Sequence, residues 1–284
     1  LELLEGCDDS DDALYFYRLA LLHEDRQAEA FTQMAQSLAL RTPVEMVRPI
    51  AGASTRSPLM FPAASWTLGM SAGGFVFDNE KWAHDVVLPD FEIDAQPVTW
   101  AQYAEFVEDG GYDEAKWWHP QGWTWLQREG RRCPRYVEQV RHGVLVQRNG
   151  QTARVPMNQP VMHVSWWEAD AWCRWAGRML PGEAQWEAAA HLGASRGFAW
   201  GTVREWTASG ARSYPNAPTQ ASAGSVAPAG SGPSAGDGLF AGHLHKVARG
   251  ASFATRGRLR HPRQRDYLRA DQDDAFIGFR SCTF

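Results

Sequence analysis

Two short stretches of this 284-residue chain set side chains where they can bind a metal or a small cation. In His23-Glu24-Asp25-Arg26-Gln27 a spacing of four residues puts His23 and Gln27 on one face of a helix, one turn apart, as two groups converging on one ion would need. Taken alone, His23 reads first as a helix histidine hydrogen-bonded to a glutamate or to backbone. In Arg265-Asp266-Tyr267-Leu268 a carboxylate stands beside an aromatic ring. Tyr267 suits a quaternary ammonium by cation–π contact, and Asp266 adds attraction for the same cation. The surrounding run Arg249, Arg256, Arg258, Arg260, Arg263 and Arg265 reads as solvated arginines paired with Asp271, Asp273 and Asp274. Its alternative is a pocket for an anionic co-substrate.

Other constellations are explained without chemistry. The four cysteines, Cys7, Cys133, Cys173 and Cys282, form no Cys-x-x-Cys pair and read as reduced thiols, not as a zinc site or a disulfide framework. Ser165 opens a helix and reads as its cap. Glu183 and Glu187 share a helix face near its start, where the helix dipole and packing account for them. No glycine-rich phosphate loop is present. A net charge of −5 with both signs interspersed gives no basic stripe, which disfavours nucleic acid as a partner. No apolar run is long enough to span a bilayer, and the expected location is cytoplasmic.

These side chains need elements to hold them. Leu14, Tyr17, Leu21, Ala28, Phe31 and Met34 recur at helical spacing and predict one helix over Asp11–Leu40, opened by acidic residues. One helix cannot bury its own apolar face, so it must pack on the main domain, on a partner chain or on further helices. A Thr42-Pro43 break and the segment Gly52–Pro62 link it onward. Trp66–Met70, Val86–Leu88 and Phe91–Ile93 read as strands, and Thr99 caps a helix ending at Gly110-Gly111. Asn149-Gly150 between Val144–Gln147 and Thr152–Val155 signals a hairpin. Gly210–Gly238, rich in Gly, Ala, Ser and Pro, reads as a linker-like insertion, or as a lid. The remaining C-terminal half reads as mostly irregular, and the whole as an α+β protein with long loops.

The stretch from Asn158 to Glu187 is the most distinctive. Trp166, Trp167, Trp172, Trp175 and Trp186 crowd two helices, the first capped by Ser165 and the second opened by Pro181, and their indole N–H groups need partners. Together with Phe198-Ala199-Trp200-Gly201, Arg204-Glu205-Trp206-Thr207-Ala208-Ser209, Arg249-Gly250-Ala251-Ser252-Phe253 and Gly278-Phe279-Arg280, this block resembles the formylglycine-generating-enzyme (sulfatase-modifying factor) domain family. The resemblance implies that family's variant of the C-type lectin fold for residues 46–284. It implies that residues 1–45 are a helical segment, the remnant of a DinB-like domain.

Within the family, Phe77-Asp78-Asn79-Glu80, Val98-Thr99, Phe106 to Tyr112, Trp117-Trp118 and Gly122-Trp123 resemble the sulfoxide synthases of ergothioneine biosynthesis. The tail from Arg249-Gly250-Ala251-Ser252-Phe253-Ala254-Thr255-Arg256 through Asp274 to Cys282 looks more like selenoneine synthases of the same branch. Such enzymes use Fe(II) and oxygen to form a carbon–sulfur or carbon–selenium bond on trimethylhistidine. Their iron is held by three histidines, two from a His-x-x-x-His turn. The matching positions are His23 and Gln27, with glutamine replacing the second histidine by a weak neutral donor. Counting back from Arg280, Arg265, Asp266 and Tyr267 fall at the betaine site. Leu268 replaces an aspartate that helps hold a thiol donor, which favours a selenosugar-type donor or none. Formylglycine-generating enzymes proper hold copper with closely spaced cysteines near the C-terminus, where only Cys282 stands here. The leading expectation is therefore an iron-dependent synthase taking trimethylhistidine, a thiol or selenosugar, and oxygen. A metal-free small-molecule-binding module of the same fold comes second, and sulfatase activation last.

Overall fold

The computed structural model describes residues 2–41, 49–54, 56–215, 217 and 244–284. A short helix α1 (Glu2–Glu5) precedes the long helix α2 (Asp11–Ser37), whose N-cap Ser10 accepts a hydrogen bond from the Ala13 backbone N–H. The Thr42-Pro43 break, the proposed domain boundary between residues 45 and 46, and most of Gly210–Gly238 lie outside the described residues.

Among the described residues, four small sheets and four further α-helices follow, with short 3-10 turns between them. β1 (Leu59–Phe61), β4 (Phe91–Ile93) and β12 (Cys282–Thr283) form one sheet, and β2 (Ala64–Leu68) pairs with β3 (His84–Leu88). β5 (Val137–Gln139), β6 (Leu145–Arg148) and β7 (Gln151–Arg154) form a meander. Its tight turn holds Asn149 at φ 52° and Gly150 at φ 70°, the left-handed pair that the Asn-Gly signal predicted. The fourth sheet runs β10 (Arg265–Arg269), β9 (His245–Arg249), β8 (Arg204–Gly210), β11 (Ile277–Phe279). The C-terminal half therefore supplies a whole sheet, against the expectation that it would be irregular. Its strands carry arginines and glutamates facing inward, so they lack the apolar alternation by which strands are recognised.

The helices follow their caps. α3 (Trp100–Glu108) and α5 (Trp166–Trp175) each begin with a capping box, through Thr99/Gln102 and Ser165/Glu168. α4 (Pro120–Glu129) closes on left-handed Gly130, and α6 (Glu183–Leu192) follows Pro181-Gly182. Trp166, Trp167 and Trp172 join Tyr103, Phe106, Trp206 and Phe279 in the main core; Trp186 packs with Phe91, Ile93 and Phe198 in a second. Three indole N–H groups of the tryptophan block find acceptors: Trp166 at Thr207 O (2.8 Å), Trp172 at Gln102 O (3.2 Å) and Trp186 at Glu205 Oε2 (2.8 Å). Arg280, fully buried, locks on Glu205 and on the carbonyls of Asp94 and Ala199. All four cysteines are free, and among the described residues no helix is long and apolar enough to cross a membrane.

β11 lies hard against the segment entering α5. A Cβ added at Gly278 would meet the Val161 carbonyl oxygen at 2.4 Å, and backbone cannot step aside as a side-chain tip can. Gly278→Ala is expected to destabilise by about 1–3 kcal/mol in chemical denaturation, the usual cost of overfilling a packed interior.

A polar junction as the candidate active site

α2 docks on the main domain with its charged face, not with the apolar positions that mark it as a helix. Asp25, Arg26, Glu29 and Gln36 are buried, whereas Phe31, Met34 and Leu38 are exposed. The reason lies in what the domain offers. Glu29 receives Arg204 through Nε (3.2 Å) and Nη2 (2.9 Å), together with the hydroxyls of Ser252 (2.7 Å) and Thr255 (2.8 Å). Asp25 takes the fork of Arg258 at 2.7 and 2.9 Å. Gln36 bridges the β6–β7 turn, donating to Gln147 O (2.7 Å) and accepting from the Asn149 backbone N–H (3.1 Å). A buried carboxylate meeting a buried guanidinium in matched geometry compensates the loss of water that either alone would suffer.

Arg204 also pairs with Asp266, so one guanidinium joins α2 to β10. On its other side Asp266 accepts from Arg26 Nη1 at 3.3 Å, and the Arg26 guanidinium lies 4.1 Å over the Phe77 ring. Burial by itself would raise the carboxyls of Glu29 and Asp266. The arginines, with Ser252 and Thr255 at Glu29, overcome it and hold both below the ordinary carboxylate range. Behind Arg26 stand Glu80, only 1% exposed, and His261, whose Nε2 lies 3.9 Å from Glu80 Oε2. Burial, with the Asp266 charge adding to it, pushes Glu80 up to about 8. Burial, then Arg249 and Arg26, brings His261 down to about 4. Near pH 7 the two are therefore a neutral carboxyl facing a neutral imidazole, not an ion pair.

The candidates named from sequence divide among three places. His23 and Gln27 are half-buried and contact each other, Gln27 Nε2 to His23 Nε2 at 3.2 Å. A cleft of about 620 Å³ opens beside them, lined by Glu24, Asp25, Gln27, Phe31, Arg256 and Arg258. Asp266 joins this junction through Arg26. Arg265 and Tyr267 do not, because alternate residues of β10 face opposite ways. Arg265 forks onto Glu183 (2.7 and 2.9 Å) and lies 4.0 Å over Tyr214, while the Tyr267 hydroxyl donates to Arg212 O (2.9 Å). Tyr214 itself donates to Glu183 Oε2 at 3.0 Å.

Most of the tail arginines pair elsewhere than with the nearby aspartates. Arg249 meets Glu187, Arg265 meets Glu183 and Arg258 meets Asp25; Asp273 is taken by Arg131 and Arg135. Glu183 and Glu187 thus anchor arginines and are not mere helix-start charges. Sequence reasoning passed over Arg26, Glu29, Glu80, Arg204 and His261. Arg26 and Glu80 lie inside stretches already singled out, but only the fold faces them toward each other.

An Fe(II) site tests poorly against these residues. His23 and Gln27 supply two donors, and among the described residues no group of three His, Cys, Asp or Glu stands close enough to hold a metal ion. The pair by itself falls short of a three-ligand centre.

Residues 51–243 match the family model of the sulfatase-modifying factor enzyme 1-like domain. The chain is 36% identical over 210 residues to the hercynine oxygenase of Mycolicibacterium smegmatis, covering 68% of this chain and 47% of that one. It is 33% identical over 179 residues to the formylglycine-generating enzyme of Streptomyces coelicolor, covering 52% and 51%. The chain thus spans about half the length of the curated relatives it matches. Among solved structures it is similar to PvdO from Pseudomonas aeruginosa, at 18% identity and a TM-score of 0.46, covering 79% of this chain and 93% of that one.

Proposed function

The chain belongs to the sulfatase-modifying factor enzyme 1-like domain family, and on that premise we propose that it serves an oxygen-dependent enzyme acting on trimethylhistidine. The reaction in this reading joins sulfur or selenium to the imidazole ring, with a thiol or selenosugar as donor. Similarity to hercynine oxygenases at 31% to 36% identity supports the substrate class. The observation that carries the reading to particular residues is the docking of α2. It sets the turn bearing His23, Arg26 and Gln27 against Asp266 of β10, so that segments far apart in sequence meet at one buried polar junction. Arg256 beside the adjoining cleft is the residue available to an anionic donor, since Arg258 is held by Asp25.

Fe(II) is the metal this reading calls for, with His23 and Gln27 as two of its ligands. The test is an anaerobic titration of purified protein with Fe(II), comparing the chain with His23→Ala. Fe(II) binding that weakens at least tenfold in the variant supports this reading. Binding unchanged by the substitution removes His23 from the site. Incubation with trimethylhistidine, a thiol or selenosugar and oxygen then tests the activity, and absence of a coupled imidazole product overturns it.

A second reading is a metal-free module that binds a small molecule at the same junction. The contact between Gln27 and His23 favours it, since the two candidate ligands satisfy each other without a metal. Sulfatase activation has little support: Cys282 is fully buried, and burial pushes its thiol up to about 12, far from a reactive thiolate.

A further inference from the structure

Arg26 presents an edge that the described protein leaves unused. Its Nη1 donates to Asp266, yet Nε and Nη2 are buried with no hydrogen-bond partner among the described residues. These two N–H groups lie along one side of the planar fork, the side that takes both oxygens of a carboxylate in parallel. Native proteins seldom leave such donors bare. Two more bare polar atoms stand nearby on separate elements: Glu80 Oε1, from the turn Asp78–Glu80, and His261 Nδ1. Arg26 acts on both Glu80 and His261 electrostatically but hydrogen-bonds to neither.

We infer that Arg26, Glu80 and His261 form a carboxylate-binding site, with the side-on edge of Arg26 receiving the carboxylate of an amino-acid-like substrate. The inference rests on the proposed trimethylhistidine reading and adds the group by which that substrate is oriented. Charge fits this choice. Arg26 and Arg204 are balanced by Asp266 and Glu29, and the buried Glu80, uncharged near neutral pH, does not repel an incoming anion but can donate a hydrogen bond to it. The carboxylate on Arg26 would leave the imidazole end of the ligand free to extend along α2 toward His23, about one turn earlier.

Calorimetry of the whole chain with two probes tests this without iron or turnover: trimethylhistidine, and the trimethylammonium amine that lacks only its carboxylate. The carboxylate-bearing probe is expected to bind about 10-fold to 100-fold more tightly, the range of a charge-assisted bidentate contact. Arg26→Lys keeps the charge but loses the fork. It should erase most of that difference and leave affinity for the amine unchanged, at a melting temperature close to the parent's. Equal affinity for the two probes on the unaltered chain overturns the inference, as does failure of both to bind. Turnover of both probes alike would leave the proposed activity standing without this site. Carboxylate-dependent binding with no turnover would leave the site standing without the activity.

Discussion

Arg204→Met is expected to lower folding stability by about 3–5 kcal/mol, because it strands two buried carboxylates at once. Glu29 and Asp266 lie on elements 237 positions apart in sequence and meet only through this guanidinium, which is itself 8% exposed. Glu29 would keep Ser252 and Thr255, and Asp266 would keep Arg26, but hydroxyls and one shared guanidinium do not neutralise two charges in a medium that solvates them poorly. Methionine matches the arginine stem in bulk, so the loss measures the charge and not a cavity. Urea denaturation gives the magnitude, and hydrogen exchange of α2 shows where it falls. The helix should lose protection before β8 and β9, since its docked face is held by Glu29, Arg26 and Asp25 while Phe31 and Met34 face out. Adding Glu29→Gln removes one stranded charge, so the double variant should be less destabilised than the sum of the single ones. A loss below about 1 kcal/mol, or strict additivity, would mean that water reaches the junction and the charges are not coupled as the geometry requires.

What could be read from the sequence, and what could not, divides along the same physical line. The tryptophan block announced its elements because its signals are local: Ser165 and Glu168 close a capping box three residues apart, and Asn149-Gly150 makes a turn from adjacent residues. The sheet of the C-terminal half was missed because its inward-facing residues are charged. Arg249, Arg265 and Arg280 look like surface until their partners are known, and those partners, Glu187, Glu183 and Glu205, lie 62, 82 and 75 positions away. A buried arginine is chemically reasonable only beside its carboxylate, and no local pattern tells which carboxylate that is. The same holds for α2. Its apolar spacing correctly marked a helix but pointed to the wrong docking face, since the partners of Asp25, Glu29 and Arg26 stand 233, 175 and 240 positions on. Of the candidate site, His23 and Gln27 were legible as neighbours one turn apart. Asp266 and Tyr267 were legible as a pair in sequence, but the strand that carries them sends them to opposite faces.

Buried titratable groups predict an unusual pH profile for stability. Glu168 is wholly enclosed, holding the Ser165 cap and receiving the Tyr112 hydroxyl at 2.7 Å. Burial pushes it up to about 7, against an ordinary carboxyl value near 4.5, and Glu80 is raised further to about 8. A group whose folded value exceeds its unfolded one stabilises the fold below the unfolded value. That contribution drains away as pH rises through the folded one. Glu168 alone should therefore forfeit on the order of 3 kcal/mol between about pH 4.5 and 8. The histidines work in the opposite sense. Burial, chiefly, takes His163 down to about 3 and His261 to about 4, so their contribution is intact above 6.5 and is lost as pH falls toward those values. Glu29 and Asp266, both held low, also weaken the fold on the acid side. The two limbs cross between about pH 4.5 and 6.5, so maximal stability should fall there and decline toward pH 8, where ordinary proteins remain near their best. Melting temperatures from pH 4 to 9 test this, with Glu168→Gln as the diagnostic variant. Its amide stays neutral at every pH, so the decline above pH 6 should flatten by roughly the Glu168 share. The alkaline limb that persists should then follow Glu80. An unaltered slope in Glu168→Gln would mean that Glu168 is already ionised in the fold and that the Tyr112 and Ser165 hydrogen bonds outweigh its burial.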